Sequence, residues 1–393
     1  MPLASLRILA FINGIFLITL ALSMLVPVVT LLIFEQPQKI NAFLWSSLIT
    51  ALVGIAMIAQ GRPKQTQLRP RDMYMLTVSS WVMVSIFAAL PFMFAERASI
   101  TDAYFESMSG ITATGATVFS GLDDMSPGTL IWRSLLHWLG GIGFIGMAVA
   151  ILPILRIGGM RLFQTESSDR SEKVMPRSHM VAKYMVLAYV GLSTFAVLAF
   201  WLAGMGVFDA INHAMSAIAT GGFSTSDASL GKWQQPAVHW VAIVVMVLGS
   251  LPFVLYVSTL RGNYRALIRD AQVRGFLLLL VGSWFVLAGW KWLTTDLYWL
   301  DALRLVAVNI TSIMSTTGFA VGDYHLWGPF ASMMFFYLGF VGGCSGSTAG
   351  GLKIFRFQVA YILLKANLKQ LIHPRAVIKQ QYNHCLLYTS PRP

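Results

Sequence analysis

The chain has 393 residues, of which 56% are apolar and only 11% are charged, with a mean hydropathy of +0.67. About a quarter of the residues in a soluble domain are charged, so this composition excludes a soluble enzyme and indicates a protein that uses lipid as much of its solvent. The net charge of +12 does not indicate nucleic-acid binding, because the basic residues lie in short clusters between long apolar runs.

Eight apolar stretches are long enough to cross a membrane, whose hydrocarbon core of about 30 Å needs roughly 20 helical residues. They run near 8–34, 41–60, 73–95, 129–155, 180–205, 236–260, 272–293 and 330–371, and the last is interrupted by small residues. The first is too long for a signal-peptide core, so we expect it to remain as a membrane-spanning helix. Cys344 and Cys385 alone provide no disulfide framework.

The connections between these spans differ in charge on the two sides of the membrane. One side collects 22 of the 28 Lys and Arg residues but only five of the 16 acidic residues. The positive-inside rule therefore predicts that this side, with both chain termini, is cytoplasmic and that the acidic loops lie outside. The basic loops are also expected to face anionic membrane lipid.

Three of the outside connections contain the same pattern of residues. They read TDAYFESMSGITATGATV from Thr101, FDAINHAMSAIATGGFST from Phe208 and LDALRLVAVNITSIMSTTGFA from Leu300. Each has an Asp-Ala start and an apolar segment too short to cross the bilayer, which predicts a re-entrant helix that ends near mid-membrane. The aspartates at the start are predicted helix N-caps, because a carboxylate accepts free N–H groups there. These N-cap residues are Asp102, Asp209 and Asp301.

A glycine follows each predicted short helix, at Gly115, Gly222 and Gly318. It lies 13 residues after the aspartate in the first two segments and 17 residues after it in the third, which predicts about one extra helical turn there. Carbonyl groups exposed at this depth must line a wet path or an ion, since unpaired ones facing lipid cost several kcal/mol. A single such glycine is more often a packing or turn residue, but three similar copies favour a cation path lined by carbonyl oxygens.

The eighth span contains GGCSGSTAGG, ten small or polar residues from Gly342 to Gly351. Five of them are glycine, and each costs about 1 kcal/mol relative to alanine in a helix, so we expect local unwinding. The segment would then form a loop directly below the predicted carbonyl-lined cation path, which we call the filter. This loop would open or close the cytoplasmic end of the path. The alternative is a helix-packing seam, for which Gly342 and Gly346 have the required spacing.

Five strings carry a resemblance to a known family: FESMSGITATGATV, AIATGGFST, STTGFA, AVAILPILRIGGM and GGCSGSTAGGLKIFR. In order and spacing they resemble the TrkH/TrkG and KtrB superfamily of bacterial potassium-uptake proteins, closest to the TrkH branch, up to about Val377. The resemblance implies an all-α polytopic protein of the bacterial inner membrane. Its membrane-pore-membrane repeats, with re-entrant pore helices, would surround a pseudo-fourfold ion path.

The resemblance also assigns residues and partners. The backbone that coordinates K+ would fall at Ala113, Thr114, Gly115, Thr220, Gly221, Gly222, Thr316, Thr317 and Gly318. The intramembrane gating loop would consist of Gly342, Gly343, Cys344, Ser345, Gly346, Ser347, Thr348, Ala349, Gly350 and Gly351. The expected partners are a second copy of the chain and a cytosolic nucleotide-binding ring of the TrkA type. No organic cofactor and no nucleic acid is expected.

We expect an N-terminal helix pair at 1–70, pore repeats at 71–178, 179–268 and 269–372, the last with a broken second helix, and a tail at 373–393. The pattern departs from the family in one respect, because no fourth filter loop is present. The spacings of 107 and 96 residues between the filter glycines place the next one beyond Pro393. The tail, which ends in YNHCLLYTSPRP, is therefore expected to be truncated or artefactual.

A cation-coupled secondary transporter with alternating access is the alternative function, since broken helices at mid-membrane are also typical of that class. Its repeats are usually inverted, however, whereas these three share one orientation. We expect no enzyme, because the sequence has no H-E-x-x-H motif and His137 and His213 are predicted structural residues. Glu106 needs a polar partner within the membrane, where it would support the filter or attract cations. The glycines of GGIGFIG, from Gly140 to Gly146, are predicted packing residues.

Overall fold

The computed structural model describes residues 3–60, 70–155, 178–373, 381–382 and 385–386, most of which are helical. The helices of the N-terminal part are α1 Leu3–Ser23, α2 Leu25–Ile33, α3 Ile40–Ala59, α4 Pro70–Ala88, α5 Leu90–Ala95, α6 Ile100–Ile111 and α7 Pro127–Leu155. Those that follow are α8 Ser178–Leu202, α9 Val207–Ile218, α10 Pro236–Ser250, α11 Phe253–Leu260, α12 Ala266–Arg269, α13 Ala271–Thr294, α14 Trp299–Met314, α15 Pro329–Gly339 and α16 Ile354–Ile372. The predicted all-α polytopic fold is confirmed.

Among the described residues, five helical segments are long and apolar enough to cross a membrane, and a bent pair of helices forms a sixth candidate span. The five are Leu6–Ile33, Pro37–Ala59, Arg71–Ala95, Lys183–Leu202 and Ala271–Thr294. Helix α7, at 29 residues, also has the length required. Large apolar side chains remain exposed along these spans, as expected where lipid covers the surface.

The span predicted at 236–260 is broken rather than continuous. Helix α10 ends at Ser250, α11 begins at Phe253, and the two axes differ by 92°. Pro252 has no N–H to continue the helix, and a proline disfavours helical backbone at the residue before it. The prediction of an unbroken helix here was therefore wrong, and the freed backbone groups bind the glycine-rich segment described below.

The three predicted re-entrant helices are α6, α9 and α14. Helices α6 and α9 each contain 12 residues and α14 contains 16, so the extra turn predicted from the longer spacing is confirmed. These three helices are too short to cross the bilayer. Each follows a longer helical segment, and the helix after α14 is the short α15.

The predicted N-caps of these helices are wrong by one turn. The N-cap positions are Ser99, Gly206 and Tyr298, so the predicted caps Asp102, Asp209 and Asp301 lie in the first turn instead, three residues later. In the first helix the Ser99 hydroxyl accepts from the Asp102 N–H at 3.1 Å and donates to its carboxylate at 2.7 Å. A carboxylate in the first turn still complements the positive end of the helix dipole, which explains the shared acidic start.

Close helix contacts are made at glycines. A Cβ built on Gly14 of α1 would lie 2.9 Å from the Gly54 oxygen of α3, so these helices pack at backbone distance. In the GGIGFIG segment, a Cβ on Gly140 would lie 1.9 Å from the Ile111 oxygen, which supports the predicted packing role. Gly143 of the same segment faces open space.

Two pairs of short strands add to the helices. Val341–Gly342 (β1) pairs in parallel with Leu352–Lys353 (β2), and Gln381–Tyr382 (β3) pairs antiparallel with Cys385–Leu386 (β4). The remainder of the predicted tail at 374–393 lies outside the described residues, as do the basic connections at 61–69 and 156–177.

Candidate functional site

The three short helices end in the same backbone motif. After α6, the Ala113 N–H donates to the Gly110 oxygen at 3.0 Å and the Thr114 N–H to the Ser109 oxygen at 2.9 Å. This pair of bonds is a Schellman motif, which satisfies the last carbonyl groups of a helix. The same two bonds recur at Thr220 and Gly221 after α9 and at Thr316 and Thr317 after α14.

In each of the three motifs, one residue other than glycine has a left-handed backbone conformation. Ala113, Thr220 and Thr316 have φ of 52°, 52° and 57°, a conformation that costs an L-residue roughly 1–2 kcal/mol. Two residues later Gly115, Gly222 and Gly318 have φ of 79°, 88° and 89°. Strained backbone persists only where the surrounding contacts hold it in place, and such residues cluster at functional sites.

The carbonyl oxygens of these segments are the free polar groups. We call Ala113–Gly115, Thr220–Gly222 and Thr316–Gly318 filter loops 1, 2 and 3. The first two N–H groups of each loop are used by the Schellman motif. None of the nine carbonyl oxygens accepts a hydrogen bond from any residue that the structure describes. Thr220, Gly221 and Thr317 are buried, whereas the other six residues are partly or fully exposed. Carbonyl groups normally have a hydrogen-bond partner, so water or an ion is expected beside these oxygens.

The filter loops lie next to one another in chain order. A Cβ built on Gly115 would lie 1.8 Å from the Gly221 oxygen, and one on Gly222 would lie 2.0 Å from the Thr317 oxygen. Loop 2 therefore lies between loops 1 and 3. A Cβ on Gly318 meets nothing within 4 Å among the described residues, so the far side of loop 3 is open there.

A buried ion pair joins loops 1 and 2 from behind. The Arg133 Nε donates to the Glu106 carboxylate at 2.7 Å, and the two side chains are 1% and 0% exposed. The same guanidinium donates to the Ser224 oxygen, just after loop 2, at 3.0 Å and to the Thr117 hydroxyl, just after loop 1, at 3.1 Å. Its carbon lies 4.1 Å from the centre of the Phe223 ring. By holding the Arg133 guanidinium, Glu106 therefore supports loops 1 and 2.

Two buried histidines pack behind the loops, as predicted for structural residues. His137 stacks on Phe223 with ring centres 4.1 Å apart, and its Nδ1 lies 3.0 Å from the Ser216 hydroxyl. A Cβ on Gly221 would lie only 2.3 Å from that nitrogen, so the ring presses directly on loop 2. His213 lies on the same loop's short helix and is fully buried.

The predicted gating segment, 342–351, is unwound, as its glycine content indicates, but it is held by many contacts. The Cys344 N–H donates to the Ser250 oxygen at 2.9 Å, and the Phe253 N–H donates to the Gly346 oxygen at 3.0 Å. Both partners lie at the break between α10 and α11. The segment therefore fills the gap left by the broken helix.

The glycines of this segment allow the backbone to approach itself. A Cβ on Gly342 would lie 2.0 Å from the Gly350 oxygen, across the pairing of β1 and β2. The Lys353 ammonium donates to the Ala349 oxygen at the end of the segment. Small residues are thus required for its compact shape.

The predicted gating segment also contacts filter loop 3 and the helix that leads into filter loop 2. The Thr348 hydroxyl lies 2.8 Å from the oxygen of Ile218, the last residue of α9, and 2.9 Å from the Gly249 oxygen. The Gly350 N–H donates to the Thr316 hydroxyl of loop 3 at 2.6 Å. The segment therefore lies against the helix end of loop 2 and the first residue of loop 3.

Two aspartates join the segments that follow loops 1 and 2, because each aspartate accepts a hydrogen bond from the other segment. Asp227 accepts from the Gly121 N–H at 2.8 Å, and Asp123 accepts from the Ser226 hydroxyl at 2.9 Å. The Lys232 ammonium binds Asp123 at 2.8 Å, and this hydrogen bond lowers the pKa of the Asp123 carboxyl below its ordinary value. The carboxylate therefore remains charged at neutral pH.

Sequence reasoning missed the role of Arg133 and the contacts of Thr348. Arg133 had an available signal, because it is a charged residue within an apolar span, where such residues usually have a functional partner. Thr348 had none, since its partners are backbone oxygens, which every residue type carries.

Re-entrant helices that end in unpaired carbonyl groups, held among membrane-spanning helices, define a polytopic membrane transport protein. The model of the TrkH family of cation transport proteins matches residues 39–384, and the chain belongs to this family. The resemblance inferred from the motifs is thereby confirmed.

Individual relatives agree with this family. The chain is 45% identical to the Trk system potassium uptake protein TrkI of Halomonas elongata, over 93% of this chain and 75% of the relative. It is 34% identical to TrkH of Escherichia coli, over 94% of this chain and 78% of the relative. The crystal structure of the potassium transporter TrkH from Vibrio parahaemolyticus matches with a TM-score of 0.89 and 32% identity, over 98% and 80% of the two chains.

Proposed function

We propose that the protein carries K+ into bacterial cells through a path lined by the carbonyl oxygens of the three filter loops. One observation carries the proposal: three loops with the same backbone geometry contain nine carbonyl groups that accept no hydrogen bond from the described residues, and loop 2 contacts both loop 1 and loop 3. Such oxygens replace the water shell of a cation. The membrane potential supplies about 2.3 kcal/mol per charge per 100 mV to drive entry.

The choice of K+ rests on relatives that are named potassium uptake proteins. Carbonyl loops alone bind either K+ or Na+, so the ion requires measurement. The open side of loop 3 is where a fourth filter loop would complete the pseudo-fourfold path, although no such loop occurs among the described residues.

The test is transport by the purified protein in liposomes. We expect uptake of radioactive Rb+, used as a tracer for K+, to be driven by an inside-negative potential and to be inhibited weakly by Na+. Liposomes that carry no protein provide the background. Uptake equal to this background would contradict the proposal, and single-channel current steps would distinguish a continuous path from alternating access.

We further propose that the segment 342–351 is a gate that closes the path on its cytoplasmic side. Its support is the set of contacts to Ile218, Gly249 and Thr316, which hold it against loops 2 and 3. Opening requires these hydrogen bonds to break. The Thr348 hydroxyl, which lies within hydrogen-bond distance of two backbone oxygens and can donate its single hydrogen to either, would then act as the latch of the closed state.

Replacing Thr348 with valine should raise the rate of Rb+ uptake about fivefold. Valine has the same shape but no hydroxyl, and a hydrogen bond contributes about 1 kcal/mol to the state that contains it. Initial uptake rates at equal protein density measure the effect. Thr348→Ser keeps the hydroxyl and should behave like the wild type. A decrease with Thr348→Val, or an equal increase with Thr348→Ser, would contradict the latch.

We also propose the assembly and orientation that the resemblance implies. The chain would form a homodimer in the inner membrane with both termini cytoplasmic. The chain would be divided, as predicted, into an N-terminal helix pair and three pore repeats. The basic cytoplasmic connections would contact lipid and a TrkA-type nucleotide-binding ring. The charge difference between the two sides of the chain supports the orientation.

A further inference from the structure

A polar side chain occupies the same position in each of the three short helices. Glu106, His213 and Asn309 each lie nine residues before the glycine of the filter loop that follows. All three side chains are completely buried. Buried polar groups are costly unless paired, so their recurrence at one position in three otherwise different helices requires a common reason.

In loops 1 and 3 the reason is a contact with the segment that follows the filter glycine, which we call the return limb (116–121, 223–228 and 319–324). Glu106 accepts a hydrogen bond from the Val118 N–H at 3.1 Å. Asn309 accepts from the Val321 N–H at 3.2 Å and donates to the Val321 oxygen at 3.1 Å. Val118 and Val321 each lie three residues after the filter glycine, so the two contacts are equivalent.

In loop 2 an imidazole makes the corresponding contact. His213 Nε2 lies 3.0 Å from the hydroxyl of Ser224, two residues after the filter glycine. The other ring nitrogen lies 2.9 Å from the Asp209 oxygen and must donate to it, since a carbonyl only accepts. In the neutral ring, Nε2 then accepts from the Ser224 hydroxyl.

We propose that Glu106, His213 and Asn309 are positioning residues that set the selectivity of the path between K+ and Na+. Each filter loop is fixed at its inner end by the Schellman motif and at its outer end by one of these side chains. Within the described part of the chain, the carbonyl groups between the two anchors make no hydrogen bonds of their own, so the anchors determine where the oxygens lie. Selectivity depends on the placement of these oxygens, and the inference therefore rests on the proposed function.

Asn309 offers the clearest test of the three. The contact of Glu106 is shared with Arg133, which also binds Ser224 of the next loop, so changes there affect two loops together. Asn309 is neutral and, apart from a bond to the Leu305 oxygen in its own helix, its side chain forms hydrogen bonds only with Val321 among the described residues. Its removal therefore frees one return limb.

The matched control is Asn212, an equally buried asparagine in the short helix α9. Its amide donates to the Phe208 oxygen of the same helix at 2.8 Å, and its oxygen has no partner among the described residues. Both Asn309→Leu and Asn212→Leu replace a buried amide with an apolar group of similar size. Only Asn309→Leu removes a contact to a return limb.

We expect Asn309→Leu to reduce the discrimination of Rb+ uptake against Na+ about fivefold or more and to speed amide hydrogen exchange at Val321 by a similar factor, as the loss of one hydrogen bond implies. The measurements are Na+ inhibition of Rb+ uptake in liposomes and exchange by mass spectrometry. Asn212→Leu should retain wild-type discrimination. Ser224→Ala, a smaller change that removes the partner of His213, should also lower discrimination.

Unchanged discrimination in both Asn309→Leu and Ser224→Ala, or an equal loss in Asn212→Leu, would overturn the inference. A lower uptake rate with unchanged discrimination would also overturn it, because that result indicates a purely structural role. If the wild-type protein shows no Rb+ uptake, the proposed function fails and the selectivity role with it. Exchange at Val321 would then still decide whether Asn309 positions the limb.

Discussion

Replacing Gly222 with alanine is expected to reduce Rb+ uptake about ten- to a hundredfold. The new Cβ would lie 2.0 Å from the Thr317 oxygen, and the backbone has φ of 88°, a conformation that L side chains rarely adopt. Overpacking of this kind costs about 1–3 kcal/mol, and about 1.4 kcal/mol corresponds to a tenfold change in rate. The displaced atom is a proposed ion ligand, so the cost falls on transport. Initial uptake rates at equal protein density measure it.

Two other glycines provide the comparison for this variant. Gly115→Ala should have a similar effect, because its Cβ would lie 1.8 Å from the Gly221 oxygen. Gly282 lies in the middle of helix α13, and a Cβ there would meet nothing within 4 Å among the residues that the structure describes, so Gly282→Ala should leave uptake unchanged. Wild-type uptake by Gly222→Ala would show that the loops do not form the ion path.

Replacing Arg133 with methionine should destabilise the protein by about 3–5 kcal/mol, since breaking a buried ion pair leaves the other charge without a partner. The Glu106 carboxylate would remain buried, and the donors left to it among the described residues would be the Thr117 hydroxyl and the Val118 N–H. Both donors lie on the return limb of loop 1, so the loss would also loosen the filter. The midpoint of thermal unfolding in detergent should fall markedly.

The double variant Glu106→Gln with Arg133→Met is the control for this prediction. It removes both charges while an amide oxygen can still accept from Val118. Replacing a buried ion pair by uncharged groups is often close to neutral, so most of the lost stability should return. A double variant no more stable than Arg133→Met alone would contradict the explanation by an unpaired charge.

The short helices show how far a local pattern predicts the fold. Their half-membrane length, the extra turn of α14 and the turn at each glycine were correct, because helix length and glycine position are properties of a short stretch of sequence. The N-cap assignment was wrong by three residues, at Asp102, Asp209 and Asp301. An acidic residue suits both the cap and the first turn, so its presence does not distinguish them.

The break between α10 and α11 shows the opposite case. Gly249 and Pro252 permit a bend, but a proline within an apolar span is also compatible with a kinked continuous helix. The 92° bend is stable because Cys344, Gly346 and Thr348 bind the freed backbone groups. These partners lie about 100 residues further along the chain, so no local pattern reveals them.

The order and spacing of the motif strings indicated the family. By itself the sequence also determined the membrane class, most of the spans, the half-length helices and the unwound glycine-rich segment. These features follow from hydropathy, length and glycine content, which act locally along the chain. Only the tertiary structure decided that the filter loops adjoin one another, that Arg133 joins two of them and that Thr348 touches the end of α9. Those contacts connect distant residues, largely through backbone oxygens that are the same in every amino acid, and they form only when the helices pack together.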